Sequence, residues 1–253
     1  MRYPNKINIP IEKVEEVTST NDYMAHLCAE GDGREFYTVV AKYQTGGRGQ
    51  RGNSWESEAG KNLIFSTVLY PTVLEAKKQF YLSMLTAISI VNALGKYTDG
   101  FSIKWPNDIY WRDKKIAGIL IENELQGKYI MRSIIGVGLN VNQDVFFSDA
   151  PNPVSLKQIL GVTINCEELL IKILHGIVAS YRLLEENFDK MSGTLNILYL
   201  RSLYRRNGYY PYRDAAGTFN AQFEFLEPDG HIRLQDEQGR LRRYAFKEVE
   251  YIL

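Results

Sequence analysis

Two long helical patterns, with strand patterns before and between them, constrain the fold of this 253-residue chain most strongly. Apolar residues recur at helical spacing over 75–97, where one apolar face is expected, and again over 165–188. Strands are predicted at Ile11–Val17, 36–42, 63–70, 102–105, 116–122 and 133–141. This order predicts an α+β fold in which helices lie on one face of a mixed or antiparallel sheet.

A shorter helix is predicted after the first strand. Ser19 and Asp22 are spaced like a capping box, so the helix is expected to run from about Asn21 to Glu30 and to stop at Gly31. The plain role of Ser19 is therefore a helix cap. Hydroxyl and amide groups clustered at a helix N-terminus are also suited to bind a polar ligand.

The pattern changes after Arg206. Short strand patterns at 209–212, 218–226, 231–234 and 241–246 are separated by turn signals such as Pro228-Asp229-Gly230. Four or five short strands in so small a segment suggest a β-barrel. We therefore predict a large domain over residues 1–206 and a small β-rich domain over 207–253.

Composition excludes several classes of protein. Thirty basic and thirty acidic side chains cancel, which argues against non-specific binding to nucleic acid. Cys28 and Cys166 are far apart, fit no metal spacing and are expected to be buried free thiols, as in a reducing compartment. No signal-peptide pattern and no apolar run long enough to span a membrane are present, so we expect a cytoplasmic protein with no membrane contact.

The stretch from Gly46 to Trp55 contains four glycines and two arginines. A flexible, cationic loop suits a small anionic ligand that the loop closes over, although a plain turn with solvated arginines is the alternative. Gly47-x-Gly49-x-x-Gly52 matches a dinucleotide fingerprint in spacing only, because turn-like residues and a strand follow instead of a helix. A Rossmann site is therefore rejected, and no P-loop motif is present.

Three further segments place polar groups or small residues beside strands. In the segment 104–108, Pro106 fixes a corner that presents Asp108, which suits a ribose hydroxyl or Mg²⁺ if it is more than a turn. In the segment 114–122, small residues follow two lysines, so a lysine could reach a ligand phosphate. Gly136 and Gly138 lie within a strand pattern, where glycine often marks close approach of another group.

No catalytic triad is recognisable. His26, His175 and His231 lie near no candidate nucleophile, and Ser19 has no evident base. The available groups are glycine amides, arginine, lysine and a carboxylate. These groups suit phosphoryl or nucleotidyl transfer, where positioning and charge neutralisation supply most of the catalysis.

Together these segments resemble the biotin protein ligases. The motifs that carry the resemblance, in chain order, are Ser19-Thr20-Asn21, the loop from Gly47 to Trp55, Lys104 to Asp108, Lys115 to Leu120, and Gly136 to Asn140. Each motif alone is weak, but their common order is specific, and the resemblance covers the chain from about Ile11 to its end. It implies a class II synthetase-like catalytic domain followed by an SH3-like C-terminal domain.

The resemblance implies a reaction in two steps. The carboxylate of biotin attacks the α-phosphate of ATP, with Mg²⁺ as cofactor, and gives biotinyl-adenylate and pyrophosphate. A lysine of a biotin carboxyl carrier domain of acetyl-CoA or related carboxylases then attacks the mixed anhydride. No enzyme nucleophile is required, and a closing glycine loop would exclude water from the intermediate.

The family's roles map onto this chain residue by residue. Lys115 and Arg48 would be catalytic. The residues implied to bind biotin are Ser19, Thr20, Asn21, Gln44, Gly47, Arg48, Gly49, Gln50 and Lys115. The residues implied to bind ATP are Arg51, Trp55, Asn107, Asp108 and Asn140, with Trp55 packing on the adenine and Asn140 bonding its edge. No residue is assigned as a metal ligand.

This chain departs from the family's usual pattern at two loop positions. Gln50 and Asn53 stand where arginine is common, so retention of the adenylate would depend more on Arg48 and Lys115. Ser19 also comes too early for a preceding helix-turn-helix domain, so we expect a ligase that binds no DNA, which a gel shift with operator DNA would test. A homodimer stays open, and a sheet edge near 136–141 could pair with a second copy.

Three other functions stay open. A lipoate or octanoate protein ligase or transferase shares the catalytic fold, but it predicts a histidine after its glycine motif, which this loop lacks. A non-catalytic biotin-binding protein is disfavoured because Arg48, Asp108 and Lys115 are present. A generic nucleotide-binding module would consume ATP without any dependence on biotin.

Overall fold

The computed structural model describes residues 9–147 and 152–253, with the side chain of residue 51 outside that description. The strands are β1 Ile11–Val17, β2 Thr38–Gln44, β3 Leu63–Leu69, β4 Phe101–Lys104, β5 Asp108–Trp111, β6 Lys114–Gln126, β7 Tyr129–Leu139, β8 Tyr210–Asp214, β9 Gly217–Leu226, β10 Ile232–Asp236, β11 Leu241–Tyr244 and β12 Glu250–Tyr251. The α-helices are α1 Thr20–Glu30, α2 Phe80–Leu94, α3 Leu156–Leu160, α4 Cys166–Glu186 and α5 Phe188–Arg201.

A seven-stranded mixed sheet forms the centre of the larger part of the chain. Its order is β1-β2-β3-β7-β6-β5-β4, in which β1 and β2 are parallel and all other neighbours are antiparallel. The α+β fold class with a mixed sheet is confirmed. The idea that 136–141 forms a sheet edge is wrong, because β7 lies between β3 and β6 and both of its sides are hydrogen-bonded.

Helices α2, α4 and α5 pack together on one face of this sheet. The helix predicted over 75–97 is α2, preceded by a 3₁₀ turn at Ala76–Lys78. Its expected single apolar face is wrong, because residues all around α2 are buried between the sheet and the other two helices. The helix predicted over 165–188 is confirmed as α4, whose N-terminal amides are capped by the Asn165 side chain.

Helix α1 lies on the opposite face of the sheet, where Met24 packs against Val39, Val68 and Ile134 in a separate small core. Alternation along β3 makes this possible, since Phe65 points into the main core while Ser66 faces α1. The predicted capping box is wrong, because Ser19 occupies the N-cap position without a capping hydrogen bond from its side chain. The stop at Gly31 is confirmed, with a left-handed C-cap at φ 91°.

Several elements are absent from the sequence prediction, and one of them is the 14-residue helix α5. Strand β5 was expected to be a corner, and α3, α5 and β12 were not predicted at all. The strand expected at 36–42 begins at Thr38. A four-residue strand such as β5 carries too few residues for a periodic signal, and it is fixed by pairing with β4 and β6.

A second, five-stranded antiparallel sheet is formed by β8 to β12, in the order β11-β10-β9-β8-β12. It rests on the main body through Trp105, whose indole Nε1 donates to the Gly230 carbonyl at 2.9 Å and whose ring meets Phe246. This sheet fits the small C-terminal β domain that was predicted. The boundary near Arg206–Asn207 stays a proposal.

Two further expectations concern the cysteines and membrane-spanning helices. Both cysteines are free, but Cys28 and Cys166 are half-buried and not fully buried as expected, and each packs against the outside of a core cluster. Among the described residues, no helix has the length and apolar content needed to cross a membrane.

Candidate active site

A cleft of about 1030 Å³ lies where the α1 N-terminus, the glycine loop, β6, β7 and the C-terminal sheet meet. Residues predicted to bind ligands that line it are Ser19, Thr20, Asn21, Gln44, Arg48, Gly49, Gln50, Trp55, Asn107, Asp108 and Lys115. Gly47 and Asn140 are not part of its lining. The prediction for Arg51 falls on a side chain outside the described residues. None of the three histidines lines the cleft.

The start of α1 carries a connected set of hydrogen bonds. Gln44 Oε1 lies 2.7 Å from the Thr20 backbone nitrogen, and Ser66 Oγ lies 2.7 Å from Thr20 Oγ1 and 2.6 Å from Asn21 Oδ1. Each hydroxyl has a single proton, and Asn21 Oδ1 can only accept. The Ser66 hydroxyl therefore donates to Asn21, and the single Thr20 proton has two acceptors within reach, Ser66 Oγ at 2.7 Å and Gln44 Oε1 at 3.1 Å.

These hydrogen bonds leave some donor and acceptor positions at the wall of the cleft free for a ligand. Asn21 Nδ2 donates to Glu122 Oε2 at 2.6 Å and to the Leu120 carbonyl at 3.3 Å, so both of its protons are used. Asn21 Oδ1 keeps one lone pair beyond Ser66, and Gln44 keeps its amide protons. The wall can therefore accept from an N–H group and donate to a carbonyl oxygen.

Arg48 does not point at an open anion site in this structure. Its guanidinium donates to both oxygens of Glu122, at 3.0 and 3.1 Å, and to Asp22 Oδ1 at 2.6 Å. It thereby joins the glycine loop to α1 and β6. Bidentate pairing of this kind fixes geometry more firmly than a single contact.

Glycines in β6 and β7 allow two side chains to lie directly on the sheet. A Cβ at Gly138 would stand 2.4 Å from Trp55 Cε2, and one at Gly136 would stand 2.3 Å from Asn21 Oδ1. No real Cβ atom tolerates such distances, so the expected close approach at both glycines is confirmed. Gly118, paired with Gly138 across the two strands, also lies under the Trp55 ring.

The glycine loop closes on itself as a narrow hairpin. The Trp55 amide donates to the Gly47 carbonyl at 2.9 Å, the Gly49 amide donates to the Asn53 carbonyl at 2.6 Å, and a 3₁₀ turn spans Gln50–Gly52. Strand β3 follows, with no helix between, so the rejection of a Rossmann site is confirmed. Lys247 Nζ, from the turn before β12, donates to the Gln50 carbonyl at 2.9 Å.

The opposite wall is built from the segment around the Trp105–Pro106 bond, which is cis. Lys115 Nζ lies 2.7 Å from Asp108 Oδ1 and 5.8 Å from the centre of the Trp55 ring. Asn107 braces β6, since its Nδ2 donates to the Ile119 carbonyl at 2.6 Å. Burial lowers the pKa of Lys104, although the nearby Asp108 carboxylate opposes that shift.

Sequence reasoning missed several residues of the site. Ser66 and Glu122 are polar residues within strands and outside the recognised motifs, and only the sheet geometry brings them to α1. Alternation along β6 does place Glu122 on the same face as Gly118, which is a signal that could have found it. The cleft also takes Glu250 and Tyr251 from β12 and Lys247 and Val249 from the turn before it, which no local motif indicated.

Known proteins resemble this chain over most of its length. Residues 14–140 match the model of the biotin/lipoate A/B protein ligase family. The bifunctional ligase/repressor BirA of Bacillus spizizenii is 34% identical over 251 residues, which is 91% of this chain and 71% of that protein. The biotin–[acetyl-CoA-carboxylase] ligase of Paracoccus denitrificans is 33% identical, over 52% of this chain and 57% of its own length.

A solved structure extends the likeness to the whole fold. The biotin protein ligase from Aquifex aeolicus, in complex with biotin and ATP, has a TM-score of 0.77 at 25% identity and covers 96% of this chain and 99% of its own. The chain therefore belongs to the biotin/lipoate A/B protein ligase family. Within that family it belongs with the biotin protein ligases.

Proposed function

We propose that this protein activates biotin with ATP to biotinyl-5′-AMP and transfers the biotinyl group to a lysine of a biotin carboxyl carrier domain. The observation that carries the proposal is that residues of four separate motifs line one cleft, together with Gly136 and Gly138 of the fifth. The activities named for the relatives from Bacillus, Paracoccus and Aquifex support it.

The α1 side of the cleft would hold the ureido ring of biotin. That ring presents two N–H donors and one carbonyl acceptor, which complement the free lone pair of Asn21 Oδ1 and the amide protons of Gln44. Ser19 and Thr20 would add hydroxyl groups at the same helix N-terminus. The backbone near Gly47 and Gly49 would complete this half.

The Trp55 side would hold the nucleotide. One face of the Trp55 ring lies on Gly118 and Gly138, so a base would pack on its other face. Asn140 Oδ1 is buried and has no hydrogen-bond partner among the described residues, and such an acceptor suits the amino group of adenine. Since Asn140 lies outside the present lining, nucleotide binding would require a local movement near Trp55.

Lys115 stands between the two halves and would neutralise the charge that develops as the biotin carboxylate attacks the α-phosphate and pyrophosphate leaves. Asp108 fixes the Lys115 ammonium at 2.7 Å. In the second step the carrier lysine attacks the acyl carbon and AMP leaves, so no nucleophile is needed from this chain. Arg48, held by carboxylates, would act mainly by keeping the loop over the intermediate.

Mg²⁺ would be held in this cleft mainly by the phosphates of ATP. Asp108 and Glu250 line the cleft, and Mg²⁺ is commonly held by one or two carboxylates together with substrate phosphates, but Asp108 is paired with Lys115 at 2.7 Å and Glu250 with Arg213 at 3.5 Å. The ion would neutralise charge on the phosphates of ATP when bound. Outside the cleft, Glu227, Asp229 and His231 also lie within metal-binding distance of one another, but Arg233 and Arg243 already pair with Glu227 there.

The direct test mixes the protein with biotin, ATP, Mg²⁺ and a biotin carboxyl carrier domain, followed by a streptavidin blot. Labelling is expected only when both biotin and ATP are present. Replacing biotin by lipoate tests the alternative within the same family, with the mass of the carrier domain as the readout because streptavidin does not bind a lipoyl group. Modification with lipoate alone would reverse the assignment. Failure to label several diverse carrier domains would contradict the proposal.

A further inference from the structure

Glu122 of β6 contacts two functional side chains at once. Its Oε2 atom accepts from Asn21 Nδ2 at 2.6 Å, and its two oxygens accept from the Arg48 guanidinium at 3.0 and 3.1 Å. Asn21 begins α1 and Arg48 belongs to the glycine loop, so a single carboxylate joins two elements that are far apart in the chain.

We propose that Glu122 is a positioning residue that orients the Asn21 amide for ligand binding and holds the glycine loop through Arg48. The proposal rests on the function proposed above, because it assigns Asn21 to the biotin pocket. It adds a residue that none of the recognised motifs contains.

The orientation of Asn21 follows from its neighbours. With Nδ2 toward Glu122 and the Leu120 carbonyl, Oδ1 lies over Gly136 and accepts from Ser66. A flipped amide would set Oδ1 against the Glu122 carboxylate and a carbonyl oxygen, so acceptors would face one another. Glu122 therefore fixes the face on which Asn21 offers its oxygen to an N–H donor.

The second contact fixes the loop. Arg48 is held by Glu122 from β6 and by Asp22 from α1, and its side chain is 42% exposed. Exposed ion pairs contribute little as single contacts, but bidentate geometry and a shared carboxylate make this one a defined anchor. Loss of Glu122 would leave Arg48 with Asp22 alone.

The same strand supplies a matched control. Glu124 lies two residues further on the same face of β6 and pairs with Arg132 at 2.7 Å. Its side chain is 45% exposed, against 40% for Glu122. Neither glutamate lines the cleft itself, but both partners of Glu122, Asn21 and Arg48, do so, whereas Arg132 does not. Substitution of Glu124 therefore removes an ion pair of the same strand without touching the site.

The first measurement is biotin affinity by calorimetry without ATP. Glu122→Ala is expected to weaken biotin binding about ten- to a hundredfold, as for loss of a hydrogen bond to a charged group, while Glu124→Ala stays within about twofold. Glu122→Gln keeps an acceptor for Asn21 and is expected to restore most of the affinity. Thermal melting should be similar in all three variants, since both glutamates are partly exposed.

The second measurement needs neither biotin nor activity. Trypsin must take the Arg48 side chain into its own pocket, which requires the contacts with Glu122 to break. Cleavage after Arg48, followed by mass spectrometry, should be faster in both Glu122→Ala and Glu122→Gln than in the unsubstituted protein or Glu124→Ala.

The outcomes separate the inference from the function. If Glu122→Ala bound biotin like Glu124→Ala and were cleaved after Arg48 at the same rate, the role of Glu122 would be refuted while the proposed function stood. Failure of Glu122→Gln to restore affinity would refute the orientation of Asn21. If the unsubstituted protein bound no biotin, the proposed function and the Asn21 step would both fail, and the trypsin comparison would still decide the loop contact.

Discussion

At the scale of single residues, the site depends on how charges are paired. Lys115 is paired with Asp108, and Arg48 is paired with Glu122 and Asp22. Both cations were expected to neutralise substrate anions, but only Lys115 stands between the two halves of the cleft. We therefore propose different roles for the two side chains: Lys115 would act on the reacting groups, and Arg48 would act on the loop.

Lys115→Ala is expected to lower adenylate formation by about a hundred- to a thousandfold, as for removal of one group that stabilises transition-state charge. Biotin-dependent exchange of pyrophosphate into ATP measures this step. Lys114→Ala is the control, since Lys114 is the exposed neighbour at the start of β6. Near-normal exchange in Lys115→Ala would remove Lys115 from the mechanism, and an altered melting temperature would point to a structural role instead.

The residues found from the sequence are those that lie in dense local motifs. Ser19, Thr20, Asn21 and Lys115 could be predicted because motif spacing identifies them and the fold then brings them to one cleft. Ser66 and Glu122 could not, because each lies outside the recognised motifs and its role depends on strand register. The pairing of Arg48 also depends on tertiary structure, since Glu122 is 74 positions away.

At the scale of elements, the site consists of the glycine loop and the N-terminus of α1. Both lie on β6 and β7, where glycines leave room above the strands. Gly118 and Gly138 are paired across β6 and β7, and Trp55 lies over both. The long amphipathic helix α4 and the continuously apolar strand β3 were predictable, whereas the 14-residue helix α5 was missed. The short elements β5, α3 and β12 were not predictable, because their formation depends on partners and not on local periodicity.

Gly138→Ala is expected to displace Trp55, because the new methyl group would stand 2.4 Å from its ring. Overpacking of this kind costs about 1–3 kcal/mol, and it should also raise the KM for ATP. Tryptophan fluorescence reports the displacement, urea unfolding measures the loss of stability, and steady-state kinetics give the KM for ATP. Gly193→Ala in α5 is the control, since a Cβ there meets no atom within 4 Å, and equal behaviour of the two variants would contradict the placement of Trp55.

The C-terminal sheet carries a buried carboxylate, Asp236, that accepts from Arg242 Nη2 at 2.9 Å and from two backbone amides. Burial alone would raise the pKa of Asp236, but hydrogen bonds from the Arg240 amide and the Arg242 side chain outweigh it. The pKa therefore lies below its ordinary value of 3.8. The stabilisation is fully present above that value and is lost as the pH falls through the lower, folded-state pKa.

Asp236→Asn is accordingly expected to lower the melting temperature at neutral pH, because its amide would face two guanidinium groups without accepting from both. The difference from the unsubstituted protein should shrink as the pH is lowered below about 3.8. Thermal melting, followed by circular dichroism over this pH range, measures the difference. Glu237→Gln, at an exposed neighbour, is the control. A difference in melting temperature between Asp236→Asn and the unsubstituted protein that grew toward acid pH would contradict the prediction.

At the scale of the whole molecule, the two sheets build one cleft. Trp105 bonds to Gly230 and meets Phe246, while Lys247 reaches back to the Gln50 carbonyl of the glycine loop. Composition and periodicity predicted two β-containing regions, but they contained no information on this contact. Its consequence is that the C-terminal sheet contributes residues to the proposed nucleotide side of the site.

The central claim is that one cleft brings biotin and ATP together for adenylation. Exchange of labelled pyrophosphate into ATP by the purified protein tests it most directly, since it requires both substrates and no carrier. We expect exchange that depends on biotin and that is slowed about a hundred- to a thousandfold by Lys115→Ala but not by Lys114→Ala. Exchange that proceeds equally well without biotin, or none in its presence, would contradict it.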